Sequence, residues 1–390
     1  MFDFILLYES SQKKFTEQYP RCVKVADAEI IEKLCIPPTI KEVKNDIFSI
    51  NTDISYYYIW SFTYNNEPSS IVVSCTRFRP SLFYDFFRSV KKSFEGDTGD
   101  PLCRFGFVKS LLTSWYTIDT GELIINYPLD CFTLNITGTE SWTTNFKISP
   151  LYPYIDEVWR SIVLNNGVLI IADSAEIASG SVIAALSLFE PLYYEEPKLL
   201  YTNENDPRYQ ELLMPNSKYK IVGTTDKTLA DKQRSFSTVI NIQTKDFQDM
   251  SELKKMYVKK THRLVCIIMS RISYNLLIDP YFNILNKTID TEVFYKKFSE
   301  FPKELFEKFQ NSLTFQKWRY RKINIDQIRT SFLSVTPEEA ASHVKDSELK
   351  LAYNELKRIV HLCQNDIHLR LVLEKNIRIL KRKLNAITNH

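Results

Sequence analysis

Apolar and polar positions along the chain change period several times, and each change marks an element. Phe2 to Tyr8 is almost wholly apolar, as a strand covered on both faces would be, and predicts a strand central in a sheet. ADAEIIEKL (26–34) places Ile30, Ile31 and Leu34 on one helical face, with Asp27 as N-cap and Pro37-Pro38 as the stop. SYYYIWSFTY (55–64) and SSIVVSCT (69–76) are rich in Tyr and β-branched residues, and Asn65-Asn66-Glu67-Pro68 between them predicts a hairpin. Pro80 then opens a helix with Leu82, Phe83, Phe86, Phe87 and Val90 as its apolar stripe, and CRFGFVKSLLTSW reads as another. A sheet with helices on its faces makes residues 1–128 a complete small α/β domain.

From Gly121 to Pro153 the pattern dissolves into Thr, Asn, Ser and Pro, which predicts an extended connector. A second domain spans 150–250: a helix at YIDEVWRSIVL, a buried strand at 167–171, a helix rich in small residues, and strands at 199–201 and within 217–226. Ala178, Gly180, Ser181, Ala184 and Ala185 would let that helix lie close against a sheet. Residues 225–250 are polar and aperiodic and predict a flexible crossing. The remainder, 251–390, is helical. Phe301, Leu305, Phe309 and Leu313 recur every four residues, Thr336-Pro337 with Glu339 opens another helix, and a long basic amphipathic segment follows.

Composition narrows the chemistry. A chain of 390 residues with 44% hydrophobic and 25% charged residues and a net charge of +3 can bury a substantial core and is not built for non-specific nucleic-acid binding. Seven scattered cysteines with no C-x-x-C spacing read as reduced thiols. MFDFILLYES lacks a basic leader, and no 18-residue apolar span occurs, so the expected compartment is cytoplasmic. Asn135-Ile136-Thr137 and Asn286-Lys287-Thr288 match a glycosylation pattern but have no secretory context.

GVLIIADSAEIASGSVIAALSLFEPLYY (167–194) has the strand, turn and helix with which nucleotide-binding α/β proteins present a phosphate site. A phosphate cradle needs successive glycines whose N–H groups converge on the anion. The turn instead offers Ala172-Asp173-Ser174-Ala175, with Asp173 as the expected N-cap and Glu176 as the N3 carboxylate reaching back to it. These two acids put negative charge where the phosphate would sit. No cofactor is expected, and no hydrolase pattern such as G-x-S-x-G or H-E-x-x-H occurs. His361, Cys363 and His368 lack a nearby fourth metal ligand. KWRYRK (Trp318, Arg319, Arg321, Lys322) and Lys381-Arg382-Lys383 suggest phosphate or acidic-lipid contact, with solvated helix ends as the plainer reading.

Four stretches together carry a resemblance: YPRCVKVADAEIIEKLCIPPT (19–39), SSIVVSCTRFRPSLFYDFF (69–87), WRSIVLNNGVLIIADSAEIASGSVIAALSLFEPLYY (159–194) and LFEKFQNSLTFQKWRYRK (305–322). In these, and in the order of its parts, the chain resembles the tripartite DENN family, most of all its short members. The resemblance implies a longin-like upstream part (1–128), a central DENN part (150–250) and a helical downstream part (251–390). It further implies guanine-nucleotide exchange on a Rab-type small GTPase in vesicle traffic. The mechanism would be preferential binding to the nucleotide-free GTPase, with no covalent chemistry. Recruitment to endosomal or other vesicle membranes is open, with the basic C-terminal helix, read from its charge, as the candidate for peripheral contact; nucleic acid is not an expected partner.

The groove between the first and second parts, where the family seats its partner, implies a GTPase-binding patch of Arg77, Phe78, Arg79, Asp173, Ser174, Glu176, Tyr193, Tyr194 and Glu195. In a plainer reading Tyr193 and Tyr194 are core or rim residues and Asp173 is a helix cap. Two other functions stay open: a non-catalytic adaptor, and a folliculin-like GTPase-activating subunit that supplies an arginine to the transferring phosphoryl group. Where that arginine would align, this chain has Tyr84.

Overall fold

The computed structural model describes residues 2–388 except 22–24, 44, 95–98, 118–121, 129–130, 136–145, 147, 233–234, 243–249, 286, 288–300, 322–324 and 364–365. Both glycosylation-pattern sites include residues outside this set. The protein is mixed α/β with a helical C-terminal part. Residues Met1–Val258 form one compact unit and Lys259–His390 a second.

The first unit begins with β1 (Phe4–Glu9), β2 (Lys14–Tyr19), α1 (Ala28–Leu34), α2 (Ile40–Val43), β3 (Asn45–Asn51), β4 (Tyr56–Tyr64) and β5 (Glu67–Cys75). The five strands make an antiparallel sheet of order β2-β1-β5-β4-β3. β1 is interior, as its apolar run demands. Tyr64 pairs with Glu67, so the β4–β5 turn is only Asn65-Asn66. Both residues have positive φ, 50° and 65°, the two-residue turn whose twist matches the flanking strands. Pro80 opens α3 (Pro80–Ser93), and α4 (Pro101–Thr113) follows, its N-cap Asp100 accepting from the Cys103 N–H at 2.6 Å. Tyr58, Trp60, Phe62, Phe83, Phe86 and Phe87 fill the core between sheet and helices.

The expected connector after Gly121 is partly structured. β6 (Tyr116–Thr117), β7 (Glu122–Asn126) and β8 (Cys131–Asn135) form a small antiparallel sheet. The Leu123-Ile124-Ile125 run in β7 is the local signal that the Thr- and Asn-rich surroundings masked, and Leu123 and Ile125 are buried.

Next come α5 (Ile155–Val163), β9 (Val168–Ala172), α6 (Ala175–Ser187), β10 (Lys198–Thr202), α7 (Tyr209–Leu213), β11 (Ile221–Thr224), α8 (Leu229–Lys232) and β12 (Thr238–Ile242). The four strands form a parallel sheet of order β10-β11-β9-β12. The crossing expected at 225–250 thus contains α8 and a sheet strand. β12 lies at the sheet edge, with Val239 and Asn241 exposed and Ile240 and Ile242 buried, an alternation of only five residues inside an otherwise polar stretch.

α6 is enclosed by strands of both larger sheets. It packs on β9, β10 and β11 and also against β3, the edge strand of the first sheet. A helix apolar all round needs such surroundings, and Ala178, Ser181, Ala184 and Ala185 are buried. Gly223 in β11 is the matching small residue on the sheet. A Cβ there would meet the Leu200 carbonyl at 2.5 Å and the Ala178 carbonyl at 2.9 Å.

The second unit carries most of α9 (Ser251–Ile278), followed by α10 (Lys303–Asn311), α11 (Leu313–Arg321), α12 (Ile325–Leu333), α13 (Pro337–Ser342), α14 (Leu349–Leu362) and α15 (Ile367–Thr388). The single helix read through 301–322 breaks at Ser312, whose hydroxyl accepts from the Phe315 N–H at 3.1 Å. Phe301, Leu305 and Phe309 are buried, while Leu313, beyond the break, is exposed. Thr336 caps α13 as its sequence predicts, accepting from the Glu339 N–H at 3.2 Å.

Within the basic run at Trp318, Arg319 is not solvated, whereas Lys317 is exposed. Arg319 is buried and donates to the Asn283 side chain at 2.6 Å and to the Lys287 and Phe282 carbonyls, each at 2.9 Å. Burial lowers its guanidinium to about 10. It is spent on holding the chain at 282–287, and the side chains of Arg321 and Lys322 lie outside the described residues. Cys363 is buried, whereas His361 and His368 are exposed.

Candidate functional site at the two ends of α6

The nine residues implied as a GTPase-binding patch fall into two groups. α6 has 13 residues, so its ends lie about 20 Å apart. Asp173, Ser174 and Glu176 are at its N-terminal end. Arg77, Phe78, Arg79, Tyr193, Tyr194 and Glu195 are grouped beyond its C-terminal end.

At the N-terminal end the local sequence behaves one residue later than expected. Ser174, not Asp173, is the N-cap, and its hydroxyl accepts from the Ile177 N–H at 3.2 Å. Glu176 is then at N2, too early for a capping box with Ser174. Its Oε2 instead accepts from the Ile47 N–H in β3 at 3.3 Å, and its Oε1 lies 3.9 Å from the Arg88 guanidinium. Asp173 is exposed and pairs with Lys227 at 3.1 Å.

The anion position of this helix is already occupied from within. Asp46 of β3 is fully buried, and its Oδ1 accepts from the Glu176 N–H at 3.1 Å. A carboxylate therefore sits where a nucleotide-binding protein would hold phosphate. Its second oxygen, Oδ2, is buried with no hydrogen-bond partner among the described residues. Burial first, and the Glu176 carboxylate second, push the Asp46 carboxyl up to about 7, against the opposing pull of the Glu176 and Ala175 amides and of Lys91. Asp46 escaped the sequence reading because its partner is 130 residues away. The available signal was a lone acid beside Ile47, Phe48 and Ile50 in a strand with an apolar pattern.

One turn along, Ser49, Tyr84 and Ser179 bind one another. The Tyr84 hydroxyl is 2.7 Å from Ser179 Oγ and 3.3 Å from Ser49 Oγ, all three residues being buried. Burial raises the Tyr84 phenol well beyond its ordinary range. Tyr84 is thus part of the packing between α3, β3 and α6.

The C-terminal end is more open. Arg77 is exposed, Phe78 half-buried, and the Phe78 ring lies 4.9 Å from that of Tyr56. Tyr193 is 48% exposed. Burial, followed by the charges of Glu195 and Tyr193, pushes the Tyr56 phenol up to about 12, which ties segment 193–195 electrostatically to β4. Lys198 extends the group: its Nζ donates to the Tyr194 carbonyl at 3.1 Å and lies 5.9 Å from the Tyr56 and Tyr194 rings.

Three members of the patch belong to the interior: Ser174, engaged in the α6 cap, and Arg79 and Tyr194 at this end. Arg79 is 4% exposed, its backbone N–H donates to the Tyr58 hydroxyl at 2.6 Å, and burial lowers its guanidinium. Tyr194 is 7% exposed with its ring edge-on to Phe189, and its hydroxyl is buried without a hydrogen bond among the described residues. The surface left by this end consists of Arg77, Phe78, Tyr193 and Glu195, with Lys198 beside them. Among the described residues no group of three or more His, Cys, Asp or Glu is placed to hold a metal ion. No family model matches the chain, and no curated protein matches it.

Proposed function

We propose that the protein is a guanine-nucleotide exchange factor for a Rab-type small GTPase, with a longin-like part followed by a central DENN part and a helical tail. The observation that carries this reading is the contrast within one strand–helix unit. Its phosphate position is filled by Asp46, while its far end offers an arginine–aromatic surface of Arg77, Phe78 and Tyr193. Such residues are the usual anchors of protein–protein binding energy. A GTPase would seat its switch segments on this surface and lose its own nucleotide contacts, because tight binding of the nucleotide-free form weakens nucleotide affinity by the same factor. Exchange needs no acid–base pair in the factor itself.

Burial of Arg79 and the position of Tyr84 in the packing weigh against an arginine delivered to a phosphoryl group from this loop, leaving Arg77 as its exposed cation. The test is release of a fluorescent GDP analogue from a panel of Rab-type GTPases, with and without the purified chain, in excess unlabelled nucleotide. Strong acceleration on one or two members is expected. Binding without acceleration would make the chain an adaptor, and stimulated hydrolysis would make it an activating subunit.

A further inference from the structure

Charge is unevenly divided along this chain. Residues 349–390 hold nine lysines and arginines against three carboxylates, a net +6, in a chain whose total is +3. The other 348 residues are thus net −3.

α14 and α15 pack on one another. α15 buries Leu369, Leu373, Asn376 and Leu380, a spacing that defines one helical face. Asn376 is satisfied there, its side chain accepting from Tyr281 at 3.0 Å and donating to the Val372 carbonyl at 3.0 Å. On the exposed side Ile367, Leu371, Lys375, Arg378 and Arg382 follow one another at the same helical spacing, with Lys381 beside them. Ile367 and Leu371 are 70% and 53% exposed.

The acids nearby are already engaged. Glu374 pairs with Arg370 at 2.9 Å and Asp366 with Arg329 at 3.0 Å. Lys375, Arg378, Lys381 and Arg382 have no ion-pair partner among the described residues. Lys383 differs, donating to the Ala341 carbonyl at 2.8 Å.

We propose that this exposed stripe of α15 docks on a membrane surface containing anionic lipid. Lys375, Arg378, Lys381 and Arg382 would lie over the phosphate headgroups, and Ile367 and Leu371 would enter the interfacial layer. The two aliphatic side chains favour lipid over nucleic acid, since a single-strand binder presents aromatic rings for bases to stack on. Among the described residues no helix is long and apolar enough to cross a membrane, so the contact is peripheral. This inference is independent of whether the protein acts on a GTPase.

The test is flotation of the full chain with vesicles of phosphatidylcholine alone and of about four parts phosphatidylcholine to one part phosphatidylserine. Binding to the mixed vesicles only, weakening as salt rises, is expected. A K375E/R378E/K381E/R382E variant should lose affinity on the order of a hundredfold, with its thermal unfolding unchanged because all four positions are exposed. I367S/L371S should weaken binding while keeping the salt dependence. Equal binding to both vesicle types, no binding to either, or charge reversal without effect would overturn the proposal. So would capture of an RNA probe by the wild-type chain in the absence of vesicle binding, which would make the stripe a nucleic-acid surface.

Discussion

The two ends of α6 both carry polar side chains, yet they differ in how far those groups reach solvent. At the N-terminal end Ser174 takes the Ile177 amide, Asp46 the Glu176 amide and Glu176 the Ile47 amide. At the C-terminal end Phe78 and Tyr193 frame a surface where Arg77 is exposed. Density of polar residues does not separate structure from function. What separates them is exposure: Asp46 and Ser174 at the N-terminal end are buried against the helix amides they bond and have little left to offer a ligand, whereas Arg77 and Tyr193 reach solvent.

The contrast breaks most sharply at the open end. F78A/Y193A should weaken binding of the proposed GTPase partner on the order of a hundredfold with the unfolding midpoint little changed, as titration calorimetry beside thermal unfolding would show. Equal loss of binding from D173A/E176A would erase the distinction between the ends. At the closed end Asp46→Ala should cost about 1–2 kcal/mol of stability by urea unfolding, because it strips an acceptor from buried helix amides. Asp46→Asn keeps that acceptor and should cost less.

Acidity sharpens the comparison next. The Asp46 carboxyl, ordinarily near 3.8, is raised to about 7 in the folded protein, so the native state binds this proton more tightly than the unfolded chain. Its favourable contribution is complete below the unfolded value and is lost as pH rises through the folded one. Wild type should therefore lose stability relative to Asp46→Asn between about pH 4 and pH 7 and run parallel to it above. Parallel curves throughout would show that Asp46 does not titrate in this window. The smallest effect belongs to Asp173→Ala, which removes an exposed pair with Lys227 and should change the unfolding free energy by less than about 0.5 kcal/mol.

Local chemistry was legible wherever a few neighbouring residues decide the outcome. Asn65-Asn66, Pro80 and Thr336 each mark a turn or helix start that the structure contains. Long-range satisfaction was not legible. Asp46, the Ser49–Tyr84–Ser179 group and buried Arg319 depend on partners that no spacing rule connects. β12 and β7 contain short, largely apolar runs, 239–242 and 123–125, set in polar surroundings that hid them. Within the candidate site, sequence could nominate Phe78 and Tyr193, but only packing reveals that Arg79 and Tyr194 face inward.

Asn51, the last residue of β3, has a consequence of its own. Its side-chain Nδ2 donates to the Lys198 carbonyl at 2.9 Å, and its Oδ1 accepts from the Leu200 N–H at 2.8 Å. One amide thus imitates a backbone peptide and extends β10 by a single rung toward the antiparallel sheet. The Leu200 amide proton then becomes a local reporter. Its exchange with deuterated solvent should be slow while the two sheets stay joined, and should quicken in Asn51→Ala without a matching change at β9.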